Sequence, residues 1–196
     1  MGETLPADKI LTLPNAITVI RLAFLPLFVW LLLGADNRIA ASILLGALGA
    51  TDWVDGWAAR KFNQVSTVGK VLDPVADRLL FFVAIVAIWI DGSAPRWFCA
   101  VVLLREIVIS AITLILAALG ARRIDVNWYG KAGTFGLMFT FPAFVLGAAD
   151  WWGSGFFTAA GWILGIPSIL LSYYAAVLYV PAARTALREG RHHQSP

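Results

Sequence analysis

The sequence predicts an all-α integral membrane protein with six transmembrane helices, and three observations carry that reading. Of its 196 residues 60% are hydrophobic and only 14% charged, with a mean hydropathy of +0.78. That composition belongs to polytopic membrane proteins. The apolar residues fall into six long runs, and a backbone in lipid must satisfy its polar groups within helices unless it closes into a barrel. The lysines and arginines gather on alternate connections, as they do when one side of a bilayer retains positive charge. The length suits one membrane domain over 1–196, with no separate soluble domain.

Residues 1–13 are mixed in character and suit a short interfacial helix. The first span covers about 15–33 and follows Leu13-Pro14-Asn15. Its length, the interruption by Arg21 and the lack of a small-residue cleavage site argue against a signal peptide. Span two covers about 39–60 and span three about 69–90. Span four, 96–119, carries Arg105-Glu106, opposite charges that should pair or face a cavity at membrane depth. Span five, 129–148, begins near Lys131 and contains Pro142, and span six, 156–180, contains Pro167, where a kink is expected.

Lys9, Arg60, Lys61, Lys70, Arg122, Arg123, Lys131, Arg184, Arg188 and Arg191 fall on one side, against Arg38 and Arg96 on the other. Both termini and the connection after span two are therefore expected in the cytoplasm, in a plasma or inner membrane. The net charge of +3 and pI near 9.3 fit this bias and an anionic lipid surface; no aromatic-basic groove suggests nucleic acid. Cys99 stands alone in an apolar run, which excludes an internal disulfide and a zinc cluster and makes it a packing residue. His192 and His193 fall in a polar, solvated tail.

The stretch from Asp52 to Asp77 breaks the apolar pattern. It holds Asp52, Asp55, Asp73 and Asp77, four of the 12 acidic residues. Each ionised group at bilayer depth costs ~2.5–3.5 kcal/mol or more. Helical positions three and four apart share a face, so Asp52, Asp55, Gly56 and Ala59 form one stripe and Gly69, Asp73 and Asp77 another. The residues between, with Arg60, Lys61, Asn63, Gln64, Ser66 and Thr67, form a polar turn that makes the two helices antiparallel neighbours. Four carboxylates at close range need cations between them. An oxygen-only set selects Mg²⁺, Ca²⁺ or Mn²⁺, and two such ions suit a displacement at phosphorus. Asp73-Pro74 also fits a helix start, a single aspartate could pair with Arg21 or Arg105, and small residues often serve helix packing. Each of these readings serves one residue; none accounts for four acids and three small residues in register.

The pattern D-x2-D-G-x2-A-R-x8-G-x3-D-x3-D, complete from Asp52 to Asp77, resembles the signature of the CDP-alcohol phosphotransferase family. The opening Thr12–Arg21, TLPNAITVIR, is similar to its phosphatidylglycerophosphate synthase and cardiolipin synthase branch. The resemblance implies six transmembrane helices, usually a homodimer, and two Mg²⁺ or Mn²⁺ ions at a site open to the cytoplasm. It implies transfer of a phosphatidyl group from CDP-diacylglycerol to an alcohol, with release of CMP. It casts Asp52, Asp55, Asp73 and Asp77 as metal ligands, Asp77 also as general base. Asp52, Gly56, Ala59, Arg60, Gly69 and Asp73 would bind the CDP donor.

Arg105, Arg122, Arg123, Lys131 and Arg21 are candidates for the acceptor phosphate, and Arg21 serves equally as an aspartate partner. Glycerol-3-phosphate synthases of the family typically carry an arginine where this chain has Thr113, and a second lysine where it has Gly133. A doubly charged acceptor should want those cations. Their absence leans the expectation toward phosphatidylglycerol, hence a CMP-forming cardiolipin synthase, with glycerol-3-phosphate the alternative. Inositol-phosphate transfer fits the N-terminal resemblance less well. An intramembrane prenyltransferase, which lacks D-G-x2-A-R, and a metal-ion carrier, which would not need the small residues, are distant alternatives.

Overall fold

The computed structural model describes residues 13–62, 69–118 and 127–192, with side chains for 16, 18–51, 76–115 and 127–178. Residues 1–12 of the expected interfacial helix lie outside the described residues. The described residues form α1 (Leu13–Val29), a π-helical turn (Trp30–Gly34), α2 (Arg38–Phe62), α3 (Gly69–Asp91), α4 (Arg96–Ala118), α5 (Trp128–Gly147) and α6 (Ser154–His192), with no strand among them. They divide into two compact units, the first ending at Asp91 and the second beginning at Gly92.

In the first unit α1 packs on both α2 and α3. Its inward face, continued into the π-helical turn, is Thr18, Arg21, Leu25, Phe28 and Leu32, all buried, at alternating spacings of three and four residues. That spacing keeps one stripe turned to its neighbours. The π turn closes α1: Ala35 N–H donates to the Trp30 carbonyl and Asn37 N–H to that of Leu31. Asp36 then takes a left-handed conformation, φ +49°, which an aspartate tolerates better than most residues. Asn37 caps α2, its side-chain oxygen accepting from Ala40 N–H at 3.0 Å. Immediately after α3, Gly92 takes φ +80°, where a side chain would be strained.

The second unit is built on an antiparallel α5–α6 pair. Its seam is made of small residues: Gly133 lies against Ser172, Gly136 against Ser168 and Gly147 against Thr158. A methyl group on Gly133 would sit 2.3 Å from Ser172 Oγ and 2.9 Å from the α6 backbone. Such seams let membrane helices approach closely where lipid offers no hydrophobic drive. Gly133→Ala should therefore destabilise the protein by about 1–3 kcal/mol, read as a lower thermal midpoint in detergent; an unchanged midpoint would contradict this packing. Beside the seam, Phe98 of α4 makes edge-to-face contacts with Phe141, Phe144 and Trp162, centroids 5.3–6.0 Å apart. Tyr173 Oη donates to the Val101 carbonyl at 2.9 Å, tying α6 to α4. Cys99 is fully buried, as a packing residue should be. The helix runs on through Pro167 and continues past the expected end of span six to His192.

The outward surfaces of both units are apolar. Trp30, Ile43, Ile90, Leu114, Ile163, Leu170 and Val177 are all exposed, far more than a water-facing surface carries. By length and composition 96–115 and 154–178 can each cross a membrane, while 18–34 and 38–51 are shorter apolar helices.

Candidate active site

The four-aspartate segment lies on α2 and α3 of the first unit. Asp52, Asp55, Gly56, Ala59 and Arg60 fall in the last turns of α2; Gly69, Asp73 and Asp77 fall in the first turns of α3. Of these, only the Asp77 side chain is among the described ones. Six residues join the two helices at this end. At the far end Arg38, first residue of α2, reaches Asp91, last residue of α3: Nε to Oδ2 is 3.1 Å and Nη2 to Oδ1 3.0 Å. The helices therefore run antiparallel, as the sequence predicts, bridged at both ends. They are not held by broad mutual contact among the described residues; α1 packs on both.

Arg21 is the residue the structure brings to the aspartates. Its Nη1 donates to Asp77 Oδ1 at 2.5 Å, joining α1 to α3. The reason is local. Arg21 occupies the inward stripe of α1, and Asp77 lies seven and eleven residues before the buried Ala84 and Ile88 on α3, so both fall on packing faces. The arginine side chain is 5% exposed and the aspartate 40%. The cation thus pairs with the carboxylate through Nη1, and the carboxylate still meets the surroundings. A close, charge-assisted bond of this kind fixes orientation as well as charge. Of the two roles open to Arg21, partner of an aspartate or ligand of acceptor phosphate, the structure displays the first.

The other acceptor candidates fare differently. Arg105, in mid-α4, pairs through Nη1 with its neighbour Glu106, while its buried Nε has no hydrogen-bond partner among the described residues. Adjacent helical residues do not face each other, so this pair is a sideways accommodation. Lys131 is exposed on the first turn of α5, next to a helix start that Asn127 caps by accepting from Gly130 N–H at 2.8 Å. Arg122 and Arg123 lie outside the described residues. Thr113 is exposed and bonds the Ile109 carbonyl of its own helix. Gly133 is built into the α5–α6 seam.

The donor set fits a hard divalent cation. Asp77 offers carboxylate oxygen and remains accessible, and its three companions are carboxylates on the same two helix ends. No group of three metal-ligating side chains occurs among the described residues, which include only one of the four. Asp91 was the residue the sequence reading passed over; its signal is an acid at the end of an apolar run, opposite an arginine at the start of another.

Comparison with known proteins agrees with the motif. Residues 11–178 match the CDP-alcohol phosphatidyltransferase family. The chain is 36% identical over 186 residues to a Streptomyces coelicolor protein named cardiolipin synthase (CMP-forming), covering 92% of this chain and 86% of that one. It is 35% identical over 148 residues to the Bacillus subtilis CDP-diacylglycerol–glycerol-3-phosphate 3-phosphatidyltransferase, covering 68% and 76%. The Haemophilus influenzae protein of that name is 30% identical over 181 residues, covering 89% and 95%. The four-aspartate pattern, its placement on paired helix ends and this match over most of the chain make the protein a member of the CDP-alcohol phosphatidyltransferase family of membrane enzymes.

Proposed function

We propose that this protein is a CMP-forming cardiolipin synthase, transferring the phosphatidyl group of CDP-diacylglycerol to a hydroxyl of phosphatidylglycerol. The observation that carries the choice of acceptor is Gly133. The position of a second phosphate-binding lysine is here a close helix contact, with Ser172 Oγ in the space a side chain would need. With Thr113 also turned to its own helix, two cations that a phosphomonoester would want are gone. The name of the Streptomyces relative supports the same acceptor.

Asp52, Asp55, Asp73 and Asp77 would hold two Mg²⁺ or Mn²⁺ ions at a mouth open to the cytoplasm. Bound there, the ions supply charge neutralisation of the diphosphate, alignment of the displacement and stabilisation of departing CMP. Gly56, Ala59 and Gly69 leave room for the nucleotide, and Arg60 serves its phosphates. Asp77 takes the proton of the acceptor hydroxyl as its oxygen bonds to phosphorus and the bond to CMP breaks. Arg21 orients that carboxylate through Oδ1. All six helices span the membrane, with both termini cytoplasmic, and the enzyme works as a homodimer.

Glycerol-3-phosphate remains a second reading because of Arg105, whose buried Nε keeps a donor that a phosphate would satisfy. CMP release from CDP-diacylglycerol by purified protein, with Mg²⁺ or Mn²⁺, separates the two. Release with phosphatidylglycerol alone is expected. Release with glycerol-3-phosphate alone would reverse the assignment.

A further inference from the structure

We infer that Arg38 and Asp91, at the opposite end of the hairpin from the four aspartates, form a clamp that sets the register of α2 against α3 and so positions the metal-binding carboxylates. The inference rests on the reading of Asp52, Asp55, Asp73 and Asp77 as a metal site. The clamp is a built feature. Arg38 gives two N–H bonds to Asp91 and forms an ion pair through Nη1 with Asp36 at 2.9 Å. The Asp91 side chain is only 5% exposed. A two-point arginine–carboxylate contact fixes relative position in a way a point charge does not.

Counting outward from the clamp shows what it aligns. Asp52 lies 14 residues beyond Arg38 (52 − 38) and Asp77 lies 14 residues before Asp91 (91 − 77). At 1.5 Å per residue both stand about 21 Å from the clamp. Asp55 and Asp73 follow at 17 and 18 residues (55 − 38 and 91 − 73), about 26 Å away. The four acids thus fall in two level pairs measured from a single fixed point. Because α2 and α3 lack broad contact among the described residues, the Arg38–Asp91 contact is a direct side-chain tie between them, beside the packing of α1 on both. A one-residue slide would shift each level pair by about 1.5 Å, enough to spoil coordination that tolerates about 0.2 Å.

The test is Mn²⁺ binding by the full-length protein in detergent, read from the free-ion paramagnetic resonance signal. Thermal stability and turnover are followed in parallel. Arg38→Ala and Asp91→Asn should weaken Mn²⁺ binding by about tenfold or more, as loss of a ligand-orienting partner does. Arg38→Lys, which keeps the charge without the two-point contact, should weaken it too, and serves if the alanine variant does not fold. The swap Arg38→Asp with Asp91→Arg should recover most of the affinity. Spin labels at exposed Ala50 and Leu79, each 12 residues from the clamp (50 − 38 and 91 − 79), report register directly in a Cys99→Ala background. Their distance distribution should broaden in Arg38→Ala and sharpen again in the swap. Wild-type Mn²⁺ affinity and an unchanged distribution in folded Arg38 variants, even with lower stability, would overturn the inference. Absence of Mn²⁺ binding by the wild type would overturn the metal site itself and the clamp's role with it.

Discussion

Asp77→Asn should lower CMP release by at least about 10²–10⁴-fold, the contribution of a positioned proton acceptor, while the protein stays folded. Asparagine keeps the size and one oxygen acceptor, so the α1–α3 contact with Arg21 can persist in weakened form. What it lacks is the basic oxygen for the acceptor hydroxyl and the charge for a cation. The measurement is turnover at saturating CDP-diacylglycerol, beside size-exclusion behaviour in detergent. Normal turnover by a folded variant would remove Asp77 from the mechanism.

Arg21→Ala carries the second large effect, and it should depend on metal. Without the guanidinium, Asp77 loses the cation now 2.5 Å from Oδ1. The bond is to a charged group, worth about 1.5–3 kcal/mol, and the 40% exposure of Asp77 puts the expected loss toward the lower end. The loss should be plain in EDTA. Added Mn²⁺ should restore the variant's thermal midpoint by more than it raises that of the wild type, because a cation binding only the folded state stabilises it and the variant lacks the arginine's repulsion of the incoming ion. Arg21→Lys, keeping a charge in reach, should fall between the two. Equal Mn²⁺-induced shifts in wild type and Arg21→Ala would separate Arg21 from the cation site.

How legible this was in the sequence depended on the range of each interaction. Helices follow from the apolar runs, while the caps Asn37 and Asn127, which act within one turn, set the starts of α2 and α5 in the structure. That the four aspartates fall on two helices follows from the apolar runs on either side of them. The expected span six agrees with the apolar stretch 154–178, and α6 runs beyond it to His192 because Ala, Leu, Arg and Glu after Val180 sustain a helix where hydropathy falls. The π turn at Trp30–Gly34 has no residue signal of its own. Long-range partners were least legible. Arg21 was open between two roles until α1 and α3 were placed together, and Arg38 read only as a loop charge because Asp91 is 53 residues away. The seam that puts Ser172 over Gly133 depends on the register of two helices, which no local pattern encodes.

The Arg21–Asp77 bond also bears on how the chain is made. On the six-span reading, the first helix to leave the ribosome carries an arginine in its inward stripe, and its counter-charge lies 56 residues downstream. At about 5–20 residues per second the partner follows some 3–11 s later. For that interval α1 holds its arginine without the Asp77 carboxylate, and a charge at bilayer depth costs ~2.5–3.5 kcal/mol or more. On that reading the arrival of α3 adds to the lodging of α1, so the two helices are expected to be coupled in insertion as they are in the fold.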